Sequence, residues 1–93
     1  KTLDSYVQEV SKDIPFFYQK SIITKNQKEK KGNKDCYTLT YAGLFSEFPL
    51  AFHQYIWFEN DKSYTLTFTA EQKSFEHWNE IALKIMDSFT FKK

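Results

Sequence analysis

Residues 50–58 read LAFHQYIWF, the most apolar stretch of the chain, and they decide its fold. A half-buried β-strand alternates apolar with polar side chains, whereas this stretch carries large side chains at both parities. It therefore predicts a central strand that is covered on both faces of its sheet. The two faces are Leu50, Phe52, Ile56 and Phe58 on one side, and Ala51, His53, Tyr55 and Trp57 on the other.

Downstream, a turn at Asn60-Asp61 leads into a strand over residues 63–69, in which Tyr, Leu and Phe alternate with Thr. A two-residue loop at this turn places Trp57 opposite Tyr64 and builds an aromatic ladder, whereas a three-residue loop places Phe58 opposite Tyr64. Because a slip of one residue exchanges the two faces, the sequence leaves both registers open.

Upstream, residues 36–42 alternate in the same way and predict a strand antiparallel to the central one. A turn at Gly32-Asn33 joins it to a further strand over residues 16–31, which begins with strand-forming aromatics and becomes polar from Lys25 onward.

Residues 43–49, GLFSEFP, predict a connection that contains a glycine and a proline. Leu44, Phe45 and Phe48 are too apolar for a free loop. We expect them to fold back onto the core or to contact a partner.

Apolar residues at helical spacing predict a helix over residues 2–14, with Thr2 as its cap and Pro15 disfavouring a helical conformation at Ile14. A second helix is predicted over residues 73–89. Because no βαβ alternation occurs, the chain is expected to be α+β: an antiparallel sheet of about four strands with an N-terminal and a C-terminal helix, in the order α-β-β-β-β-α. The stripe of the second helix that we expect to pack on the sheet is Phe75, Trp78, Ile81, Ala82, Ile85, Met86 and Phe89.

The composition fits one small domain over residues 1–93, in which 10 Phe, 6 Tyr and 2 Trp make up 19% of the chain. Large rings fill a small core economically. No apolar stretch is long enough to predict a membrane-spanning helix, and the single Cys36 excludes an intrachain disulfide framework. A net charge of +1 without any Arg is unlike a strongly basic nucleic-acid binder.

Three side chains offer material for catalysis or metal binding: Cys36, His53 and His77. A catalytic Cys-His pair needs adjacency and a thiol of low pKa, and nothing in this spacing brings the residues together. Two histidines and one cysteine without a close pair are poor ligands for zinc. We expect no catalytic residue, no metal site and no cofactor.

Lysines cluster around the predicted hairpin tip, where they form either an electrostatic patch for an acidic partner or a solvated hairpin whose like charges discourage edge pairing. No Arg or aromatic interleaves with them, so nucleic acid is not an expected partner. The lysines are Lys25, Lys28, Lys30, Lys31 and Lys34.

A second candidate is a partner or ligand surface made by His53, Tyr55, Trp57, Phe45 and Phe48. The first three share one face of the central strand. That face is a binding surface if it is exposed, and core if a helix covers it.

The second half of the chain resembles the end of PsbP-like domains. The resemblance rests on YTLTFTA at residues 64–70, on the following helix with Phe75 and Trp78, and on IMDSF at residues 85–89. The segment YTLTY at residues 37–41, the central strand and the first helix also fit. This superfamily includes the extrinsic PsbP protein of photosystem II, bacterial envelope proteins of the DcrB type and a nuclear protein that acts on the Ran GTPase.

The resemblance implies an antiparallel sheet covered by helices on both faces. It spans nearly all of the chain but only the later two-thirds of a family domain, because nothing here supplies the strand pair with which family members usually begin. Either those strands were removed, or this member is short and covers the exposed edge by other means. The chain starts at Lys1 rather than Met, so we expect it to be processed or excerpted, with any leader lost.

The shared residues are core residues, so the resemblance implies a non-catalytic binding or assembly role with a protein partner. A bacterial envelope protein or lipoprotein is the leading expectation. The alternatives are a cytoplasmic regulator of a small GTPase, resembling the Ran-binding branch, and a small-ligand binding module. An open sheet edge also favours self-association as a homodimer.

Overall fold

The computed structural model describes residues 1–31 and 33–89. Its four strands form one antiparallel sheet in the order β1-β2-β3-β4, which confirms the predicted α+β class and element order. The elements are α1 (Leu3–Phe17), β1 (Gln19–Lys31), β2 (Lys34–Phe45), β3 (Phe48–Glu59), β4 (Lys62–Glu71) and α2 (Gln72–Asp87).

β3 contributes to two cores, one on each face of the sheet. On one face, Phe52 and Ile56 pack in the cluster that includes residues of α1, and we call this the α1 face. On the other, Tyr55 and Trp57 pack in the cluster that includes Met86 of α2, and this is the α2 face. Burying each such side chain stabilises the fold by roughly 1.5–3 kcal/mol. The prediction of a central strand covered on both sides is confirmed.

The turn between β3 and β4 is a two-residue loop. Glu59 pairs with Lys62 and Trp57 with Tyr64, so the two-residue register is the one adopted. Asn60 and Asp61 both have left-handed backbones, with φ of 53° and 60°. Left-handed residues at both central positions match the twist of the flanking strands.

The connection predicted over residues 43–49 is wrong in its extent, because β2 continues to Phe45 and β3 begins at Phe48. Only Ser46 and Glu47 form the turn, and Ser46 has a positive φ of 58°. Gly43 therefore belongs to a strand. A Cβ at this position would lie 2.7 Å from the Cβ of Tyr18, so the missing side chain permits a close approach and does not mark a loop.

The first helix is longer than predicted, because α1 continues through Pro15 to Phe17 and β1 starts only at Gln19. Ile14 is 3% exposed, and the free energy gained by burying it outweighs the bias that proline imposes on the preceding residue. The predicted Thr2 cap is confirmed, since its hydroxyl accepts a hydrogen bond from the Ser5 backbone N–H.

The hairpin between β1 and β2 has Lys31 paired with Lys34 and Asn33 at a φ of 64°. Gly32, the first residue of the turn predicted at Gly32-Asn33, lies outside the described residues.

The second helix ends at Asp87 rather than at residue 89, and only part of its apolar stripe is buried. Ala82 and Met86 face the sheet, whereas Trp78, Ile81 and Ile85 are 49%, 52% and 67% exposed. The expectation that the whole stripe packs on the sheet is therefore wrong.

Candidate functional site

The face of β3 that carries His53, Tyr55 and Trp57 lies under α2. These side chains are 6%, 3% and 3% exposed. Their rings follow one another edge to face, with centroids 5.4 Å apart for His53 and Tyr55 and 6.1 Å apart for Tyr55 and Trp57. Of the two interpretations that the sequence left open, core is the one that the structure shows.

His53 is held by one hydrogen bond, between its Nδ1 and the Thr40 hydroxyl at 2.9 Å. Its Nε2 is buried and has no hydrogen-bond partner in residues 1–31 and 33–89. Burial, reinforced by the charge of Lys25, lowers the pKa of the imidazole below its ordinary value of 6.5. The His53 ring is therefore neutral at pH 7.

Cys36 and the two histidines do not meet. Cys36 lies four residues before Thr40, the β2 partner of His53, which is a separation of roughly 13 Å along the strand. His77 is exposed on α2. Burial raises the pKa of the Cys36 thiol to about 11, so the thiolate needed for nucleophilic chemistry is scarce. Among the described residues, no group of three His, Cys, Asp or Glu side chains is placed to hold a metal ion.

Each lysine of the predicted electrostatic patch lies beside a carboxylate, so much of its charge is balanced locally. Exposed ion pairs of this kind contribute about 0–1 kcal/mol each. The nitrogen–oxygen distances are 3.8 Å from both Lys25 and Lys31 to Glu29, 3.2 Å from Lys28 to Asp4, 3.4 Å from Lys30 to Asp35 and 2.7 Å from Lys34 to Glu59.

Lys31 also belongs to a polar network that ties β1 and β3 to α2. The Tyr55 hydroxyl donates to Asp87 Oδ1 at 2.6 Å, and Lys31 Nζ lies 3.3 Å from the same oxygen. The same ammonium lies 4.5 Å from the centroid of the Tyr55 ring. The hydrogen bond from Tyr55, together with Lys31, holds the pKa of Asp87 below its ordinary value. The network is structural, since its members bond to one another.

Four phenylalanines are exposed at the end of the sheet where β2 turns into β3, and we call Phe16, Phe17, Phe45 and Phe48 the aromatic end. Their exposed fractions are 86%, 68%, 55% and 62%. Phe45 and Phe48 are directly paired across the turn between the two strands. The expectation that these two fold back onto the core is therefore wrong. The expectation that they contact a partner stays a prediction.

Tyr18 brings the last turn of α1 to this end of the sheet. Its ring lies 6.3 Å from that of Phe45 and 4.8 Å from that of Phe52, measured between centroids. Phe16 and Phe17 directly precede this anchored residue. The last turn of α1 and the turn between β2 and β3 therefore lie at the same end of the molecule.

Sequence reasoning missed the contribution of Phe16 and Phe17, because both were assigned to the first strand. The sequence did contain a signal for the exposure of Phe16. If the helix is continued past Pro15, Phe16 falls outside the stripe formed by Val7, Val10 and Ile14, and an exposed position follows.

No protein-family model, curated protein or solved structure matches the chain. None of the helices in the part of the chain that the structure describes is both long and apolar enough to cross a lipid bilayer.

Proposed function

We propose that this chain is a non-catalytic binding or assembly domain whose aromatic end takes an apolar segment of a protein partner. The observation that supports the proposal is the concentration of four phenylalanines, each more than half exposed, at one end of the sheet. Contiguous exposed apolar surface is typical of interaction sites, and aromatic residues are enriched at the centres of protein interfaces.

The four side chains are not needed to build the cores. Neither buried cluster includes any of them. Burying a phenylalanine is worth roughly 1.5–3 kcal/mol, and this free energy is left for a partner that covers the aromatic end. A few such anchors are enough to dominate an interface.

Charged residues of both signs lie within a few residues of the aromatic end in the sequence, namely Lys12, Asp13, Lys20 and Glu47, all exposed. A polar rim of mixed sign around an apolar centre is the arrangement of a protein interface. An anionic membrane surface would instead favour a rim of lysines. The rim therefore supports a protein as the partner.

The reactive side chains support a non-catalytic role. The Cys36 thiol is buried with a raised pKa, and the two histidines lie on different elements away from it. Within residues 1–31 and 33–89, neither histidine lies beside the Cys36 thiol, as a Cys-His pair would require. The Thr40 hydroxyl does meet His53, at 2.9 Å, but that imidazole is only 6% exposed, so the imidazole is closed to a substrate.

The resemblance to PsbP-like domains extends the proposal to a location. A helix, a four-stranded antiparallel sheet and a second helix on the opposite face make the architecture that the resemblance implies. On this basis we propose an envelope protein or lipoprotein of a bacterium, in which the domain holds a protein partner.

Photo-crosslinking tests the aromatic end directly. A benzophenone side chain placed at Phe48 should give discrete protein adducts in an extract of cells that make the chain, and Phe16→Ser should suppress them. The matched control places the same group at Ile85, which is 67% exposed on α2, far from the aromatic end.

Adducts of equal yield from both positions, or none from Phe48, would overturn the proposal. Flotation with anionic phospholipid vesicles separates the membrane alternative. Binding to vesicles that is lost in Phe48→Ser would point to lipid and contradict a protein partner.

A further inference from the structure

A cleft of about 450 Å³ lies between the first half of α2 and the α2 face of the sheet. The side chains of β3 explain why it is there. On this face the strand carries Tyr55 and Trp57, which pack under the C-terminal half of α2, but only Ala51 near the start of the helix. Ala51 pairs with Ala42 of β2 and with Ala70 of β4, and directly paired residues share a face. Three neighbouring strands therefore present only methyl groups at this level, and space is left beneath the helix.

Neutral polar residues from three elements line the cleft, together with one aromatic residue. They are Thr24 of β1, Thr40 of β2, and Gln72 and Asn79 of α2, and the aromatic residue is Phe75. Thr24 lies where the pairing of β1 with β2 shifts register, and a bulge of this kind re-aims a side chain. An apolar wall with a few convergent polar groups, in a volume of roughly 300–1,000 Å³, is typical of small-molecule sites.

The polar groups of the cleft offer oxygen acceptors to a ligand. Asn79 Oδ1 is buried and has no hydrogen-bond partner within the part of the chain that the structure describes. The Thr24 hydroxyl donates to the Thr40 carbonyl at 3.3 Å. The Gln72 amide nitrogen donates to the Leu50 carbonyl, also at 3.3 Å. Both groups direct a donor to the backbone and keep an oxygen that can accept. Because a buried acceptor without a donor destabilises the chain, a ligand that supplies donors is favoured.

The two charged residues that line the cleft have opposite signs. Lys73 and Glu76 are both exposed, and the Lys73 ammonium lies 3.7 Å from the Glu71 carboxylate. Exposed charges of opposite sign, screened by salt, give little preference for an ion of either sign. A neutral ligand therefore suits the cleft better than an anion or a cation.

We propose that this cleft binds a neutral small molecule rich in hydroxyl groups, of the size of a monosaccharide. Its hydroxyls donate to the oxygens of Asn79 and Thr24. Because a hydroxyl both donates and accepts, it serves either orientation of the Asn79 amide. The Phe75 ring, 5.3 Å from that of Phe68 between centroids, is the apolar wall against which the C–H face of a sugar ring packs. This site is separate from the aromatic end and adds a ligand to the proposed protein partner.

Amide chemical shifts of the isotope-labelled chain, recorded during titration with single compounds, test the site. The neutral compounds are glucose, galactose, mannose, N-acetylglucosamine, myo-inositol and glycerol. At least one should cause saturable shifts at Thr40, Ala51 and residues 75–79, with a dissociation constant that is millimolar or tighter. Methylammonium and acetate are the charged comparisons, and they should cause smaller shifts at the same amides.

Two substitutions change the cleft from opposite walls. Asn79→Leu removes the unpartnered oxygen and fills the space, so it should abolish sugar binding and raise the melting temperature of the free chain. Ala42→Leu fills the space from β2 and should weaken binding by at least about tenfold. The matched control is Asn26→Leu, because Asn26 is exposed and pairs with Leu39 of the α1-face core. It should bind like the wild type.

Phe16→Ser should also bind sugar like the wild type while losing the partner of the aromatic end, so this inference and the proposed function fail separately. The absence of saturable shifts with every neutral compound would overturn the inference. So would a stronger response to methylammonium or acetate than to any sugar. An Asn79→Leu chain that binds like the wild type, or melts at a lower temperature, would contradict an acceptor kept for a ligand.

Discussion

A single hydroxyl, that of Tyr55, links the central strand to the last turn of α2. It donates to Asp87 Oδ1 at 2.6 Å, and the carboxylate also meets Lys31 of the edge strand. Because Tyr55 is almost fully buried, water does not readily replace this contact. The residue therefore joins elements that are distant in sequence.

Tyr55→Phe should lower the free energy of unfolding by about 1.5–3 kcal/mol, the range for a hydrogen bond to a charged group. Urea denaturation measures the change. Tyr37→Phe is the matched control, since its hydroxyl donates to Asp4 at 2.7 Å on the exposed surface, and its loss should be smaller. An equal effect in both variants would contradict the role of burial.

His53 should make stability depend on pH. Burial lowers its pKa below 6.5 in the folded state, so the unfolded chain binds more protons as the pH falls. The stabilisation is complete above about pH 6.5 and is lost as the pH falls through the folded-state pKa. His53→Phe should abolish this decline in thermal melts recorded at successive pH values. A slope that persists in the variant would assign the effect to another group.

At the scale of the element, β3 was predictable. A strand buried on both faces carries large side chains at both parities, and residues 50–58 show this pattern. The end of α1 was not predictable. The bias that Pro15 imposes on Ile14 is visible in the local sequence, whereas the burial of Ile14 that outweighs it depends on tertiary packing. The candidate site, too, was only partly predictable from the sequence. Phe45 and Phe48 were recognisable as apolar residues at a turn, but Phe16 and Phe17 join them only through the packing of Tyr18.

The width of the apolar arc of α2 explains why only part of its stripe packs on the sheet. The six stripe members within the helix span roughly 140° of its circumference, and Leu83, which packs on the α2-face core, widens the arc to roughly 200°. One sheet buries a narrower stripe. Periodicity alone identified the apolar side of the helix, but only the position of the sheet decides which part of that side is covered.

Gly43→Ala should destabilise the junction of α1 with the sheet, because the new methyl would lie 2.7 Å from the Tyr18 Cβ. Forcing an extra methyl into packed structure costs about 1–3 kcal/mol. Chemical denaturation measures the cost, and Thr24→Ala, at an exposed strand position of β1, serves as the control. A neutral Gly43→Ala would show that the helix end moves freely.

At the scale of the whole molecule, two sets of exposed apolar side chains lie in different places. The aromatic end lies where α1 ends and β2 turns into β3, and the exposed part of the α2 stripe is Trp78, Ile81 and Ile85. Because the two sets belong to different elements, substitutions can test each of them separately.

Serine substitutions test whether the exposed phenylalanines of the aromatic end are needed for stability. Phe16→Ser combined with Phe48→Ser should change the free energy of unfolding by less than about 0.5 kcal/mol for each site, because both side chains are mostly exposed. Urea denaturation provides the measurement. A loss of several kcal/mol would show that these rings support the fold.

The most direct test of the central claim is an NMR titration with a peptide from a displayed random library, selected on the wild-type chain and counter-selected on the Phe16→Ser, Phe48→Ser variant. We expect peptides with apolar anchors, amide shift changes at residues 16–18 and 44–48, and affinity at least about tenfold weaker for the variant, which corresponds to roughly 1.4 kcal/mol. Peptides that bind both chains equally, or shifts confined to other parts of the sheet, would contradict the assignment of the aromatic end as the binding site.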